Sequence, residues 1–293
     1  MDTKARRVVT DSMIGLKLPD FARHSDRVAT VLGHNPGPFT GPGTNTYLVG
    51  RGRRPLILDT GAGVAVYPDL LTRGLSELCQ SNELDKIVLT HAHGDHLGGV
   101  KQILPRFGDL EVLKMPWPGH DEAAGTAITP IGDGDEVQAD GATLRAVFTP
   151  GHAPDHLCYY LEEERAIFTG DVVLGAGTTV IPDDSGDLGQ YMGSLRRLLE
   201  LEPELIYPAH GPVIRNARGK IREYIAHREL REQQVIEALR EGPLQVMAIV
   251  KKIYIDVPEF LHNAAASSVR SHLRKLQNEG VVVVEEDNYW RCS

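Results

Sequence analysis

Between residues 28 and 211 the chain alternates short β-rich apolar runs with Gly/Pro turns. Residues 28–32, 46–49, 56–58, 86–89, 112–114, 144–148, 158–161, 166–168 and 205–207 have the composition of strands. Apolar positions recur at helical spacing in 67–78, just after Gly98-Gly99, and in 190–199. Strands interspersed with helices predict sheets covered by helices. The last third changes character. Residues 216–239 predict one long helix with Ile221, Ile225, Val235, Ile236 and Leu239 on its apolar side, ended by Gly242-Pro243. Val246, Ile249, Val250 and Ile253 mark a second helix, and Ala265, Val269, Leu273 and Leu276 a third, stopped by Gly280. The run 281–284, a turn at Asp287-Asn288 and residues 289–291 predict a hairpin. Three helices and a hairpin make a winged-helix pattern. The expected division is a domain of residues 1–215, then a linking helix and small winged-helix domain over 216–293.

The candidate chemistry lies in Val88-Leu-Thr-His91-Ala-His93-Gly-Asp95-His96-Leu-Gly-Gly99. A predicted strand runs into four candidate ligands within six residues. They are too close in sequence to share one face of a helix or strand, whereas a loop at a strand end can wrap them around one point. A lone HxH is more often a polar surface loop; HxHxDH after an apolar strand is far more specific. Imidazoles and a carboxylate without cysteine suit a catalytic zinc site better than a structural thiolate one. The two glycines are expected to let the chain turn tightly into a helix. His152 in Thr149-Pro-Gly-His152, Asp171 in Ile167-Phe-Thr-Gly-Asp171 and His210 in Ile206-Tyr-Pro-Ala-His210 repeat one pattern: strand, small residue, ligand.

Five histidines and two aspartates suffice for two ions. The expected assignment gives His91, His93 and His152 to one, and Asp95, His96 and His210 to the other, with Asp171 bridging. Open coordination then remains for a shared water, whose pKa two metals lower towards ~7. The resulting hydroxide would attack a carbonyl or phosphorus, with Asp95 as general base as well as ligand.

In kind and order these residues resemble the metallo-β-lactamase superfamily, from the early strands through His210. The resemblance implies an α/β fold, the αββα sandwich with its dinuclear site at one edge of two packed sheets. It also implies two Zn2+ per chain, with Mn2+ or Fe2+ as alternatives. Asp59, in Leu56-Ile-Leu-Asp59-Thr-Gly61, matches the family's aspartate that orients a ligand histidine. Asn35-Pro-Gly-Pro38, Gly43-Thr-Asn-Thr-Tyr-Leu-Val-Gly50, Gly151-His-Ala-Pro-Asp-His156, Gly211-Pro-Val-Ile214 and Tyr224-Ile-Ala-His-Arg228 look like the β-lactamase-like protein 2 branch, as does the appended winged helix. That branch implies an endoribonuclease acting on single-stranded RNA. Its fungal relatives imply the alternative, a hydrolase of small acyl substrates: thioesters, esters or lactones. Asp171 stands where true zinc β-lactamases usually carry Cys. The 39 positions from Asp171 to His210 leave no room for the inserted domain of β-CASP nucleases. His93 replaces the Glu of diiron flavoproteins.

A formal charge of −9 argues against strong non-specific gripping of nucleic acid. Candidate phosphate contacts are Arg51, Arg53, Arg54, Arg215, Arg218, Lys220, Arg222 and Arg228; Tyr47, Trp117 and Tyr207 are candidates for stacking a base. From residue 231 onward eight basic residues face nine acidic ones. Despite Arg270, Arg274 and Lys275 on its third helix, the winged helix is therefore expected to be a lid or a homodimer contact, with no DNA recognition. Three scattered cysteines suggest a reducing compartment. No apolar stretch approaches the roughly 18 residues that span a bilayer, so no membrane association is expected. The expected location is intracellular and cytoplasmic, with Arg6, Arg7, Arg23 and Arg27 allowing a mitochondrial matrix alternative.

Overall fold

The computed structural model describes residues 13, 15–255, 257–259 and 262–293; Arg6 and Arg7 of the targeting expectation lie outside them. The first sheet runs in sequence order: β1 (Phe21–Arg23), β2 (Val28–Leu32), β3 (Asn45–Val49), β4 (Leu56–Leu58), β5 (Ile87–Val88), β6 (Val112–Lys114) and β7 (Thr129–Pro130). The second has the order β12 (Leu205–Pro208), β11 (Ala166–Gly170), β10 (Leu157–Leu161), β9 (Ala142–Phe148) and β8 (Glu136–Ala139).

Strand alternation explains why the two sheets stack. Leu56 and Leu58 point into the space between the sheets with Val49, Leu144, Tyr159 and Phe168. Ile57 points the other way, onto α1 (Tyr67–Cys79) and α3 (Val100–Phe107), where Leu71, Leu75 and Ile103 meet it. The second sheet does the same with its outer face. Cys158, Ile167 and Ile206 pack on α4 (Leu188–Glu200) and α5 (Ala217–Leu239) through Leu195, Leu198 and Ile221. Inner strands such as β4 and β10 are apolar on both faces because both are buried, which produces the αββα sandwich.

The strands missed in the sequence are those with no such run. β1 and β7 are edge strands of three and two residues, and β8 is an edge strand whose Glu136 and Gln138 face solvent. An edge needs only one covered face and tolerates a proline such as Pro130.

Asn216 caps α5, its side chain accepting from Gly219 N–H at 3.1 Å. This 23-residue helix belongs to two cores. Ile221 and Tyr224 pack on the second sheet; Val235 and Leu239 pack with α6 (Val246–Ile253), α7 (His262–Asn278) and Val282. β13 (Val282–Val284) and β14 (Trp290–Cys292) form the antiparallel wing. The winged helix has a specific attachment to the loop after β11. Arg270 and Arg274 of α7 both reach the Asp183 carboxylate, at 2.8 and 2.9 Å, and Ser271 Oγ donates to Ile181 O at 3.4 Å. Lys275 pairs with Glu232 and Glu279. The basic side chains of α7 are thus engaged in contacts within the chain. No helix among the described residues is long and apolar enough to cross a membrane.

A candidate metal centre at the sheet edge

β4 and β5 run parallel, as do β11 and β12, and β9 shares the direction of β11 because both are antiparallel to β10. Their C-terminal ends therefore open on one edge of the sandwich. Asp59 follows β4, His91 to His96 follow β5, His152 follows β9, Asp171 follows β11 and His210 follows β12. Bonds across the gap lock the two sheets at that edge. Leu157 N–H donates to Thr90 O (2.9 Å), Tyr159 OH to Leu89 O (2.8 Å), and the Asn45 amide to Pro208 O and Gly211 O (2.9 and 2.8 Å).

The seven predicted ligands converge. The ligand atoms of His91, His93 and His152 lie within 4.8 Å of one another, as do those of Asp95, His96 and His210. In the first group His93 Nδ1 is 2.9 Å from His91 Nε2 and 3.0 Å from His152 Nε2. In the second, Asp95 Oδ2 is 3.2 Å from His210 Nε2 and 3.5 Å from His96 Nε2. Asp171 reaches both groups. Its Oδ1 lies 3.2 Å from His210 Nε2 and 3.5 Å from His96 Nε2, and its Oδ2 lies 3.5 Å from His152 Nε2.

Hydrogen bonds behind the rings set which nitrogen faces inward. His152 Nδ1 donates to Val180 O at 2.8 Å. His96 Nδ1 is 2.8 Å from Asp59 Oδ2, and Thr90 N–H donates to Asp59 Oδ1 at 2.8 Å. Thr90 Oγ1 lies 2.9 Å from His91 Nδ1. Each contact leaves Nε2 free to point at the centre. His96 Nε2 and Asp171 Oδ1 are buried there without a hydrogen-bond partner, a costly arrangement that a bound cation would satisfy. The donor set and these inward-facing atoms fit a metal site.

Charge follows the same division. Burial opposes ionisation of Asp95, but His96 and His210 hold its carboxyl down at about 2. Burial likewise opposes charge on His210, yet Asp171 and Asp95 lift it to about 9. His96 is raised well above the usual histidine range in the same way, against its burial, by Asp95, Asp59 and Asp171. His93 goes the other way, to about 4, through burial and His152. Ligation requires neutral imidazole. Adding a divalent metal to metal-free protein at pH 7 is therefore expected to release protons from His96 and His210, and the part owed to His210 should fade above pH 9. Calorimetry in two buffers of different ionisation enthalpy reads this directly; identical heats would contradict it.

Two expectations need correction. Gly98 and Gly99 have φ of −61° and −80°, so they supply no left-handed turn. They are small because the loop after β4 crosses them: a Cβ on Gly99 would lie 2.0 Å from Thr60 O, and Thr60 N–H donates to His96 O at 2.8 Å. The nucleic-acid candidates are also mostly elsewhere. Tyr47 and Tyr207 are buried in the inter-sheet core, and Arg228 is buried with Nη2 on Thr179 O. Arg51, Arg53 and Arg54 sit in the turn after β3, whose other end, Asn45, bonds Ala209 O at the metal edge. They mark the opposite end of the sandwich. Arg218 pairs with Glu202 and Lys220 with Glu223; Arg215 and Arg222 are exposed outside the cavity over the metal residues. Trp117 stays close to the predicted ligands, its ring 6.3 Å from that of His93.

Two residues escaped individual notice. His156 is fully buried, accepts Asp171 N–H on Nε2 at 3.2 Å and faces Thr149 Oγ1 with Nδ1 at 3.0 Å. It fixes the backbone of the residue that reaches both triads. Lys114, also fully buried, holds Asp155 Oδ2 at 2.6 Å and Asp121 Oδ1 at 2.8 Å. His156 stood in the Gly151–His156 motif, but nothing local marked it. Lys114 reads in sequence as one more strand residue.

Comparison with known proteins agrees with this geometry. The model of the "Metallo-beta-lactamase superfamily" matches residues 39–210, and that of the "Beta-lactamase associated winged helix domain" matches 246–290. A Caenorhabditis elegans protein named "Beta-lactamase-like protein 2 homolog" is 42% identical over 88% of this chain and 86% of its own. A protein of Aspergillus chevalieri named "Atrochrysone carboxyl ACP thioesterase" is 42% identical over 92% of this chain and 86% of its own. In fold the chain is similar to a β-lactamase domain protein from Burkholderia ambifaria, with a TM-score of 0.81, 20% identity and 97% of each chain covered. The chain belongs to the metallo-beta-lactamase superfamily of hydrolases and carries that superfamily's associated winged helix at its C-terminal end.

Proposed function

We propose that the chain hydrolyses acyl thioesters or esters at a pair of zinc ions, one held by His91, His93 and His152 and the other by Asp95, His96 and His210, with Asp171 shared. The observation that carries the substrate class is the wall of the cavity over these residues. It encloses about 470 Å³, a size typical of small-molecule sites. Met13, Pro38, Phe39, Leu174, Val180 and Pro182 line it, and among its described lining residues none is Lys or Arg. Phe39 and Val180 stand exposed, at 67% and 44%. An apolar acyl chain gains by burial against such a wall, whereas a phosphate backbone finds no cation on it. The relative named as an acyl-carrier thioesterase supports the same reading.

When bound, the two ions supply the Lewis acidity that turns water into a nucleophile at neutral pH and polarises the carbonyl. The chain does the rest. His152 and His96 are held in one orientation by Val180 O and Asp59. Asp95, ionised and with its side chain 27% exposed, accepts a hydrogen bond from the attacking water and takes its proton. Water oxygen adds to the acyl carbon, the C–S or C–O bond breaks, and the thiol or alcohol leaves with the proton that Asp95 collected.

Single-stranded RNA is the second reading, favoured by one feature. Trp117, half-buried, stacks on His120 with ring centroids 3.7 Å apart, a flat ledge beside His93 on which a base can lie. The zinc-loaded protein should be assayed on an acyl thioester, a lactone, single-stranded and duplex RNA and a β-lactam. Thioester turnover outpacing every other substrate is expected. RNA cleavage with no thioester turnover would overturn the proposal.

A further inference from the structure

A second cavity, of about 420 Å³, lies between α5, α7 and the loop after β11. It shares Thr178, Thr179 and Val180 with the apolar cavity over the metal residues, so the two meet along that segment. Three extended residues span roughly 10 Å, which puts both within reach of one elongated molecule.

The chemistry of the two differs. The second cavity is lined by His227, Arg228 and Arg231 of α5, Tyr254, and Ser267 and Ser268 of α7. No carboxylate lines it among the described residues. The Arg231 guanidinium is held over the Tyr254 ring at 4.2 Å, with Nη1 donating to Gln234 Oε1 at 2.8 Å. Stacking fixes the plane of the fork and leaves its remaining N–H groups to point at a ligand. Arg228 Nη2 donates to Thr179 O, so the shared wall and the cationic lining are tied together. Two guanidiniums and two hydroxyls, with no carboxylate among the described lining residues, match the acceptor oxygens of a phosphate.

We propose that this cleft is an anion subsite of the same active site, which takes the phosphate on the leaving-group arm of an acyl thioester while the acyl chain fills the apolar cavity. The inference rests on the acyl-hydrolase reading above and narrows it to thiols carrying a phosphate remote from sulfur. It also gives the winged helix a role, because α7 supplies one wall of the cleft.

The test compares two substrates with the same acyl group, acyl-pantetheine and acyl-4′-phosphopantetheine, on full-length metal-loaded protein. The phosphorylated one is expected to show a KM lower by about ten-fold or more, the scale of a charge-assisted contact. In Arg231→Gln that preference should collapse towards unity, and Arg231→Lys, which keeps the charge, should restore part of it. Lys251→Gln removes the same charge from an exposed position on α6 outside the cleft and should keep the preference. Thermal melting checks that each variant is folded. Equal KM values in the wild type, or a preference that survives in Arg231→Gln, overturn the subsite while leaving the hydrolase reading intact. Turnover of neither thioester overturns both. Loss of single-stranded oligonucleotide binding in Arg231→Gln without change in thioester preference assigns the cleft to RNA and overturns the proposal.

Discussion

Asp171→Asn is expected to lower kcat/KM by about 10³-fold or more while the protein stays folded. Asp171 reaches both groups of candidate ligands, with Oδ1 towards His96 and His210 and Oδ2 towards His152. The amide keeps the shape but removes the negative charge and one of the two acceptor oxygens. Stabilisation of transition-state charge by a metal is worth several kcal/mol, and about 4 kcal/mol corresponds to a factor near 10³. The same change removes a carboxylate that keeps His96 and His210 protonated. Metal-free Asp171→Asn should therefore release fewer protons on binding metal at pH 7. Turnover above a tenth of wild type at unchanged metal content would show that this carboxylate is not part of the reacting centre. Asp59→Asn makes an instructive comparison. It touches His96 from behind, at 2.8 Å, and the loss expected from such a supporting contact is only about 10- to 100-fold.

The largest effect on stability is expected at a residue that meets no predicted ligand. Lys114→Met should destabilise the protein by about 3–5 kcal/mol, the usual consequence of removing one partner of a buried pair. The ammonium group lies between Asp155 and Asp121, and both Lys114 and Asp155 are almost wholly buried. Burial already pushes the Asp155 carboxyl up despite Lys114, so without the lysine the anion is stranded. The sign of the pH dependence follows. A carboxyl whose folded pKa lies above its unfolded value favours folding at low pH and loses that contribution as pH rises through the folded pKa. The deficit of Lys114→Met should therefore be smaller near pH 5 than near pH 8. Urea midpoints at the two pH values read it; a loss under 1 kcal/mol at pH 8 would mean that water already solvates the pair.

The candidate metal residues were legible because their signal is local. HxHxDH after an apolar run, and a small residue with a ligand after three more runs, need only the rule that strands end where loops begin. The buried strands were legible for a related reason: β4 and β10 are apolar on both faces, and such runs announce themselves. The supports of the site were not. Lys114 acquires its meaning from Asp155, 41 positions away, and His156 from Asp171, 15 positions away. The pairing of the basic residues on α7 and the burial of two candidate aromatics have the same origin. Arg270 and Arg274 look free in sequence because Asp183 is about 90 positions distant. Tyr47 and Tyr207 look like surface aromatics until two sheets close over them.

By itself the sequence determined the strand and helix pattern, the change of character near residue 216, and the identity of seven candidate ligands, because hydrophobic period and ligand type are properties of short segments. Only the tertiary structure decided that five strand ends share one edge, that the cavity above them is apolar and lacks cations among its described lining, and that α7 grips the loop beside it. Those facts depend on which distant segments become neighbours, and that is settled by burying the faces of two sheets rather than by any local preference.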